Sequence, residues 1–215
     1  MVLTGGRPQE HNNFKIPGTG NDLYGKQRLE LAIHLRDAVL PMIKRPFFIE
    51  NGTLLGAWRN GKFIEHDDDF DFGILLDKAP KPKDTALSIL SRIEKHLGSS
   101  YECRLVTTYA TKIEVYDPSV GAYMLSPKYG GANYHYVTAD LQFYCETEAG
   151  GFQQMYYLGT PPPVVRKDRI LPLSKIVLEG EPFPAPRRTE EFLVDNYGSL
   201  DPAAKYNSVT GKYHL

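Results

Sequence analysis

Four aspartates lie close together in the first half of the chain, within a stretch that is otherwise hydrophobic. Residues 66–73 are His-Asp-Asp-Asp-Phe-Asp-Phe-Gly. Side chains alternate along a strand, so Asp69 and Asp71 share one face with their Cα atoms about 6–7 Å apart, and Asp67 joins them if the strand begins early. Carboxylates at this spacing can hold a hard divalent cation, and without one their repulsion raises at least one pKa. The spacing predicts a metal site.

Two other interpretations of the acidic run are weaker. A solvated turn would not place Phe70, Phe72 and Ile74 between and after the aspartates. A calcium-binding EF-hand loop that began at Asp67 would need glycine at its sixth position and glutamate at its twelfth. Those positions hold Phe72 and Lys78, so the calcium-loop interpretation fails.

A glycine turn precedes the acidic run by about fifteen residues. Gly52 and Gly56 bracket the predicted start of a helix, and Thr53 adds a hydroxyl group. Free backbone N–H groups and the helix dipole favour an anion at such a position. A glycine turn, a helix and then an acidic strand suit a nucleotide phosphate that is bridged by Mg²⁺.

The run from Glu50 to Gly73 resembles the signature of the LicD/fukutin family, with looser similarity at 170–175, 183–186 and 192–198. Members share the nucleotidyltransferase fold and transfer a phosphorylated alcohol or sugar from a nucleotide-diphosphate donor to a glycan hydroxyl. The resemblance therefore implies a metal-dependent transferase. It also implies that Asp67, Asp69 and Asp71 form the acidic strand of the site.

The same resemblance implies a set of substrate-binding residues. Gly52, Thr53 and Gly56 fall in its glycine turn, and Arg59 falls at the basic position after the helix. His66 departs from the pattern, because the family usually has tryptophan before the acidic run. Contact with a ligand and pairing with a neighbouring carboxylate both stay open for this histidine.

The fold that the resemblance implies typically uses a third carboxylate from a later strand. Asp140 fits, because Leu141 and Phe143 would face the core while Asp140 faces the other way. The alternative is an edge-strand aspartate that faces water, and Glu114 is the reserve candidate. The predicted metal ligands are Asp69, Asp71 and Asp140, and the predicted catalytic residues are these three and Asp67.

The elements that must position these residues follow from the apolar periodicity. Helices are predicted at 21–43, where Pro41 kinks or ends the helix, and at 52–59, 85–97 and 189–197. Strands are predicted at 47–49, 70–76, 101–107, 112–116 and 134–144. The prolines at 161–163, 182, 184 and 186 predict rigid surface crossings.

Composition sets the remaining limits. The chain has 215 residues, with 25 basic and 26 acidic side chains, so near-zero charge disfavours general binding to nucleic acid. The two cysteines lie outside any CxxC motif, so they do not decide between an oxidising and a reducing compartment. No apolar run approaches a membrane span of about 18 residues and no signal peptide is visible, so a cytoplasmic location is predicted.

The predicted fold class is α/β (α+β): a nucleotidyltransferase-like mixed sheet flanked by helices, with an irregular C-terminal cover. We expect an extended arm at 1–20 and a single catalytic domain at 21–215. The predicted function is transfer of a phospho-alcohol or phospho-sugar from a nucleotide-diphosphate donor, most plausibly CDP-linked, to a carbohydrate hydroxyl with Mg²⁺ or Mn²⁺. Two alternatives stay open: a nucleotidylyltransferase that releases pyrophosphate from an NTP, and a non-catalytic module that binds a glycan or a partner.

Overall fold

The computed structural model describes residues 18–77, 82–107, 111–124, 132–155, 162–207, 210 and 212–215. Of the predicted arm at 1–20, only 18–20 fall among these residues, and the rest lies outside them. The first described helix, α1, spans Asn21–His34 and continues as a π-helical segment, Leu35–Val39, and a 3₁₀ segment, Leu40–Ile43. Pro41 lies in this last segment, so the helix ends where the sequence predicts.

The site is carried by a mixed sheet with the strand order β1-β2-β7-β4-β3. These strands are β1 (Phe47–Ile49), β2 (Asp71–Leu76), β3 (Glu102–Val106), β4 (Lys112–Tyr116) and β7 (Thr138–Glu146). The β2–β7 pair is parallel, whereas β1–β2, β4–β7 and β3–β4 are antiparallel. All six residues of β2 are buried, because β2 is an interior strand covered on both faces.

Helices and hairpins surround this sheet. The other helices are α2 (Asn51–Asn60), α3 (Pro82–His96), the short α4 (Lys167–Ile170) and α5 (Thr189–Tyr197). The other strands are β5 (Gly121–Met124), β6 (Ala132–His135), β8 (Gly151–Gln154), β9 (Val165–Arg166), β10 (Ser174–Leu178), β11 (Glu181–Ala185), β12 (Lys205–Asn207) and β13 (Lys212–His214). The predicted mixed sheet flanked by helices is confirmed.

The single strand predicted at 134–144 is wrong. Residues 132–135 form β6, which pairs with β5, and β7 begins only at Thr138. The chain bends between them, where the Tyr136 N–H donates to the carbonyl oxygen of Val120 at 2.8 Å and its own carbonyl accepts a hydrogen bond from Arg28. Apolar alternation alone does not mark such a bend.

The proline-rich segment at 182–186 is also more regular than predicted. Its residues 182–185 belong to β11, which pairs with β10 in antiparallel register. Pro182 and Pro184 occupy alternate positions, so both lack an N–H on the same side of the strand, and within the described residues that edge of β11 is unpaired. The C-terminal cover therefore contains a hairpin, α5 and the β12–β13 pair. No helix in the described part of the chain is long and apolar enough to cross a membrane.

Candidate active site

Three carboxylates meet where β2 and β7 lie side by side. Asp71, the first residue of β2, is directly opposite Asp140 of β7 in the parallel register. Asp69 comes from the segment just before β2, and one oxygen from each of the three lies within 4.8 Å of the others. Because β7 lies between β2 and β4, the edge-strand interpretation of Asp140 is wrong. Asp71 and Asp140 are only 5% and 4% exposed.

A second acidic group shares Asp69 with the first. Carboxylate oxygens of Asp67, Asp68 and Asp69 also lie within 4.8 Å of one another. The strand begins at Asp71, so the condition under which Asp67 would share a strand face is not met. Asp67 reaches the site from the turn that precedes the strand.

The electrostatics of the group favour a bound cation. Burial raises the pKa of both Asp69 and Asp71 well above the ordinary value, and repulsion from neighbouring carboxylates, Asp140 among them, raises both further. An added positive charge would relieve this repulsion. The donors are hard oxygens on two adjacent strands and on the segment that precedes one of them, and such a set fits Mg²⁺ or Mn²⁺.

Donor side chains hold the two buried carboxylates in place. Lys112 of β4 forms an ion pair with Asp140. The Gln142 amide donates to Asp71 Oδ1 at 3.1 Å, and the Gln154 amide donates in turn to Gln142 Oε1. Such outer partners fix the orientation of ligand groups.

A polar row extends from the carboxylates across the sheet. Asp71, Asp140, Glu114 and Arg104 lie opposite one another in successive strand pairs. The reserve candidate Glu114 thus neighbours Asp140, but its carboxylate accepts a hydrogen bond from Arg104, and it belongs to neither acidic group that we find among the described residues. The row ends at Arg104, whose side chain is about half exposed.

A buried glutamate lies behind the site. Glu50 is fully buried, and its Oε2 accepts a hydrogen bond from the Tyr144 hydroxyl. Its Oε1 has no hydrogen-bond partner in the described structure. Burial raises the pKa of Glu50 to about 8, and the charge of Asp140 adds to the rise, whereas the Tyr144 hydrogen bond opposes it. Glu50 is therefore protonated at neutral pH.

The acidic residues also act electrostatically on a tyrosine of α5. Burial raises the pKa of Tyr197 well above its usual range, and the charges of Asp71, Asp67 and Glu50 raise it further. The carboxylates of the site therefore disfavour the phenolate form of this side chain.

The glycine turn packs against the acidic run. A Cβ on Gly52 would lie 2.3 Å from Asp67 Oδ2, so the Asp67 carboxylate rests against the first turn of α2. Thr53 is buried, and its hydroxyl oxygen accepts a hydrogen bond from the Asp71 N–H at 3.0 Å. A Cβ on Gly56 would lie 2.4 Å from the Lys62 carbonyl oxygen, so Gly56 permits a close chain crossing. The turn therefore places the Asp67 carboxylate at the N-terminus of α2.

Two predicted substrate-binding residues lie at the periphery of this arrangement. Arg59 Nε and Nη2 donate to the carbonyl oxygen of Leu200 at 3.2 and 3.0 Å. His66 is exposed in the turn before the aspartates. The predicted roles of both in substrate binding stay predictions.

The sequence interpretation missed four charged or polar residues of the site: Arg28, Glu50, Lys112 and Gln142. Glu50 directly precedes the glycine turn, and that position is the only local signal. Lys112 and Gln142 reach the site through strand pairing, and Arg28 reaches it from a distant helix. Spacing along the chain does not reveal such contacts.

A comparison with protein-family models places the chain among known proteins. The family model described as LicD/FKTN/FKRP, nucleotidyltransferase domain, matches residues 44–188, which is more than half of the chain and includes all the predicted site residues. A search of curated proteins finds no match.

Proposed function

Since the chain belongs to the LicD/FKTN/FKRP nucleotidyltransferase-domain family, we propose that it transfers a phospho-alcohol or phospho-sugar group from a nucleotide-diphosphate donor to a carbohydrate hydroxyl. Membership assigns the chain to a transferase-type enzyme family with a phosphotransferase-type role in glycan modification. The donor, which we take to be CDP-linked, and the acceptor class are parts of the proposal. The observation that carries it is the convergence of Asp69, Asp71 and Asp140 at the β2–β7 pair.

Asp69, Asp71 and Asp140 would hold Mg²⁺ or Mn²⁺. When bound, the cation supplies charge neutralisation and orientation for the donor diphosphate. The fit rests on hard oxygen donors and on the raised pKa values of Asp69 and Asp71.

Asp67 is our choice for the base that accepts the proton of the acceptor hydroxyl. Asp140 is the weaker choice because it is almost fully buried and already paired with Lys112. Asp67 is half-buried and lies in the same acidic run. The acceptor oxygen then bonds to the phosphorus that carries the alcohol or sugar, and the bond from that phosphorus to the bridging oxygen breaks.

We assign Lys112 to the leaving nucleotide. Its ammonium forms an ion pair with Asp140, one of the carboxylates that would hold the cation. It can offset the charge that develops on the phosphate of the departing nucleoside monophosphate.

Product analysis tests the proposal against its alternatives. The purified protein is incubated with Mg²⁺, glycan acceptors and separate pools of CDP-alcohols, UDP-sugars and NTPs, and the nucleotides are separated by chromatography. We expect CMP from CDP-linked donors without pyrophosphate. Stoichiometric pyrophosphate from an NTP would instead indicate nucleotidylyl transfer. Binding of a glycan without turnover of any donor would indicate the non-catalytic module.

A further inference from the structure

A fully buried arginine of α1 joins the two chain segments that deliver the site carboxylates. Arg28 Nη1 donates to Asn21 Oδ1 at 2.9 Å and to the Asp67 carbonyl oxygen at 3.4 Å. Its Nη2 donates to the carbonyl oxygens of Thr19 and Tyr136. One guanidinium group therefore contacts α1, the acidic run and the chain that enters β7.

The Asp67 and Tyr136 carbonyl groups, which accept hydrogen bonds from Arg28, belong to the two chain segments that lead into the site. Asp67 begins the acidic run that ends at Asp71, and Tyr136 lies four residues before Asp140. Between them, the Asp140 N–H donates to the Phe70 carbonyl at 2.7 Å and the Phe70 N–H donates to the Thr138 carbonyl at 3.2 Å. Arg28 adds a further link between the same two segments, because it binds the carbonyl groups of Asp67 and Tyr136.

The first turn of α1 adds to the same attachment. The backbone N–H of Asn21 donates to the Asp67 carbonyl at 2.9 Å, and that of Asp22 donates to the Glu65 carbonyl at 3.2 Å. The Asn21 side chain donates to the Ile64 carbonyl at 3.2 Å. The helix N-terminus and Arg28 thus hold the segment 64–67 by its carbonyl groups.

The charge of Arg28 matters as well as its geometry. Its hydrogen bonds go to carbonyl and amide oxygens, and the carboxylates of Asp69, Asp68, Asp67 and Asp22 act on it through space. A guanidinium keeps its charge in proteins, and a buried charge needs compensation. Arg28 and the acidic run therefore offset each other.

We propose that Arg28 is a positioning residue that fixes the acidic segment 67–69 against the start of β7 and so sets the separation of Asp69 from Asp71 and Asp140. The inference rests on the proposed function in one respect, which is that these carboxylates bind a divalent cation. Arg28 itself lies before the family match at 44–188.

Substitution Arg28→Lys tests the geometry, because lysine keeps the charge but its single ammonium cannot span the same acceptors. Mn²⁺ affinity is measured by calorimetry on the full chain without donor. We expect the Kd for Mn²⁺ to rise about tenfold, which lies in the range that outer-shell substitutions cause. The matched control is Arg36→Lys, which removes an arginine that ties the same helical region to Glu181 and Pro182 of β11. The Kd of this control for Mn²⁺ should stay within about twofold of the wild-type value, because substitutions at sites that share no partners act independently.

A second variant and a metal-free measurement cover the remaining outcomes. If Arg28→Lys does not fold, Asn21→Ala removes one acceptor of Arg28 and one donor to Ile64, and we expect a smaller loss of Mn²⁺ affinity. Amide hydrogen exchange of segment 64–71 without metal should quicken in both variants and not in Arg36→Lys. Unchanged exchange in this segment, or unchanged Mn²⁺ affinity in a folded variant, would overturn the proposal. A wild-type chain that binds no Mn²⁺ would count against the metal site instead, and the exchange result would then decide the role of Arg28.

Discussion

Concentrated negative charge is the main property of the site at the scale of single residues. Asp69, Asp71 and Asp140 converge, and Lys112 forms an ion pair with Asp140. The raised pKa values of Asp69 and Asp71 mean that their ionised forms cost free energy in the folded chain. The same repulsion that destabilises the metal-free chain would favour a divalent cation.

Asp69→Asn and Asp71→Asn should each abolish transfer and leave the fold intact, because asparagine keeps the volume and removes a ligand charge. The free energy of unfolding of the metal-free chain at neutral pH should rise, since repulsion falls. Transfer assays at saturating Mg²⁺ and chemical denaturation with chelator measure both effects. Asp77→Asn at the other end of β2, where Asp77 pairs with Arg45, is the matched control. Activity above about a tenth of wild type would contradict the ligand assignment.

Glu50 predicts a pH dependence of stability. Its pKa is about 8 in the folded chain and near its model-peptide value of 4.5 when unfolded. Between these values the folded chain holds a proton that the unfolded chain lacks, so this group lowers stability as pH rises from about 5 to about 8. Glu50→Gln mimics the protonated acid. It should reduce the total loss of unfolding free energy across this pH range, by a few kcal/mol at most. Denaturation across this range with chelator present measures the slope, and an unchanged slope would exclude Glu50 as its source.

Close packing between elements sets the geometry at the next scale. Helix α2 meets the acidic run at Gly52, and the segment that follows the helix crosses it at Gly56. Gly56 excludes a side chain because a backbone carbonyl lies opposite it, whereas a side chain at Gly52 would displace the Asp67 carboxylate. The glycine turn is therefore required for the placement of Asp67, in addition to any contact with donor phosphate.

Gly52→Ala separates helix stability from site geometry. Alanine favours a helix over glycine by about 1 kcal/mol, but its Cβ would collide with Asp67 Oδ2. We expect a folded protein whose transfer activity falls at least tenfold, in line with a displaced catalytic group. Gly25→Ala in α1 is the control, because its Cβ would make ordinary contacts of 3.4 Å or more. Activity and thermal unfolding are measured on both, and full activity in Gly52→Ala would contradict the contact.

Local patterns predict some elements well and others poorly. The predicted boundaries of β4 at 112–116 and α5 at 189–197 agree with the structure, because each has a clear period and a turn signal at its ends. The β10–β11 hairpin was missed because alternate prolines in 182–184 suggest a non-strand segment. Prolines fit this strand because, in the described part of the chain, their side of it is left unpaired, and which side is unpaired depends on the whole sheet.

At the scale of the whole molecule, the acidic motif could be predicted while its surroundings could not. Asp69 and Asp71 follow from spacing, and Asp140 follows from the fold that the family resemblance implies. Arg28 contacts the Tyr136 carbonyl across 108 residues, and its contact with Asp67 spans 39. Local periodicity carries no information at these separations.

The C-terminal segment is attached to α2 through Arg59. Both of its hydrogen bonds end on the Leu200 carbonyl, so Arg59→Gln should weaken the attachment by about 1 kcal/mol, which is modest because the side chain is exposed. For a chain of this size that corresponds to a Tm lower by about 2–4 °C. We expect the donor KM to stay unchanged. A higher KM at unchanged Tm would instead support the substrate-binding role that the family resemblance implies for Arg59. Lys62→Gln, which removes a neighbouring exposed cation, is the control for general charge effects.

The parallel pairing of β2 with β7 also bears on when the site forms during folding. The Gln142–Asp71 hydrogen bond closes a loop of 71 residues, and such nonlocal pairings form late because chain entropy must be lost first. Asp69, Asp71 and Asp140 are therefore separated until the sheet is nearly complete. A cation that needs all three would bind after the folding barrier. It would lengthen the lifetime of the native state by slowing unfolding, and would leave the rate of folding almost unchanged.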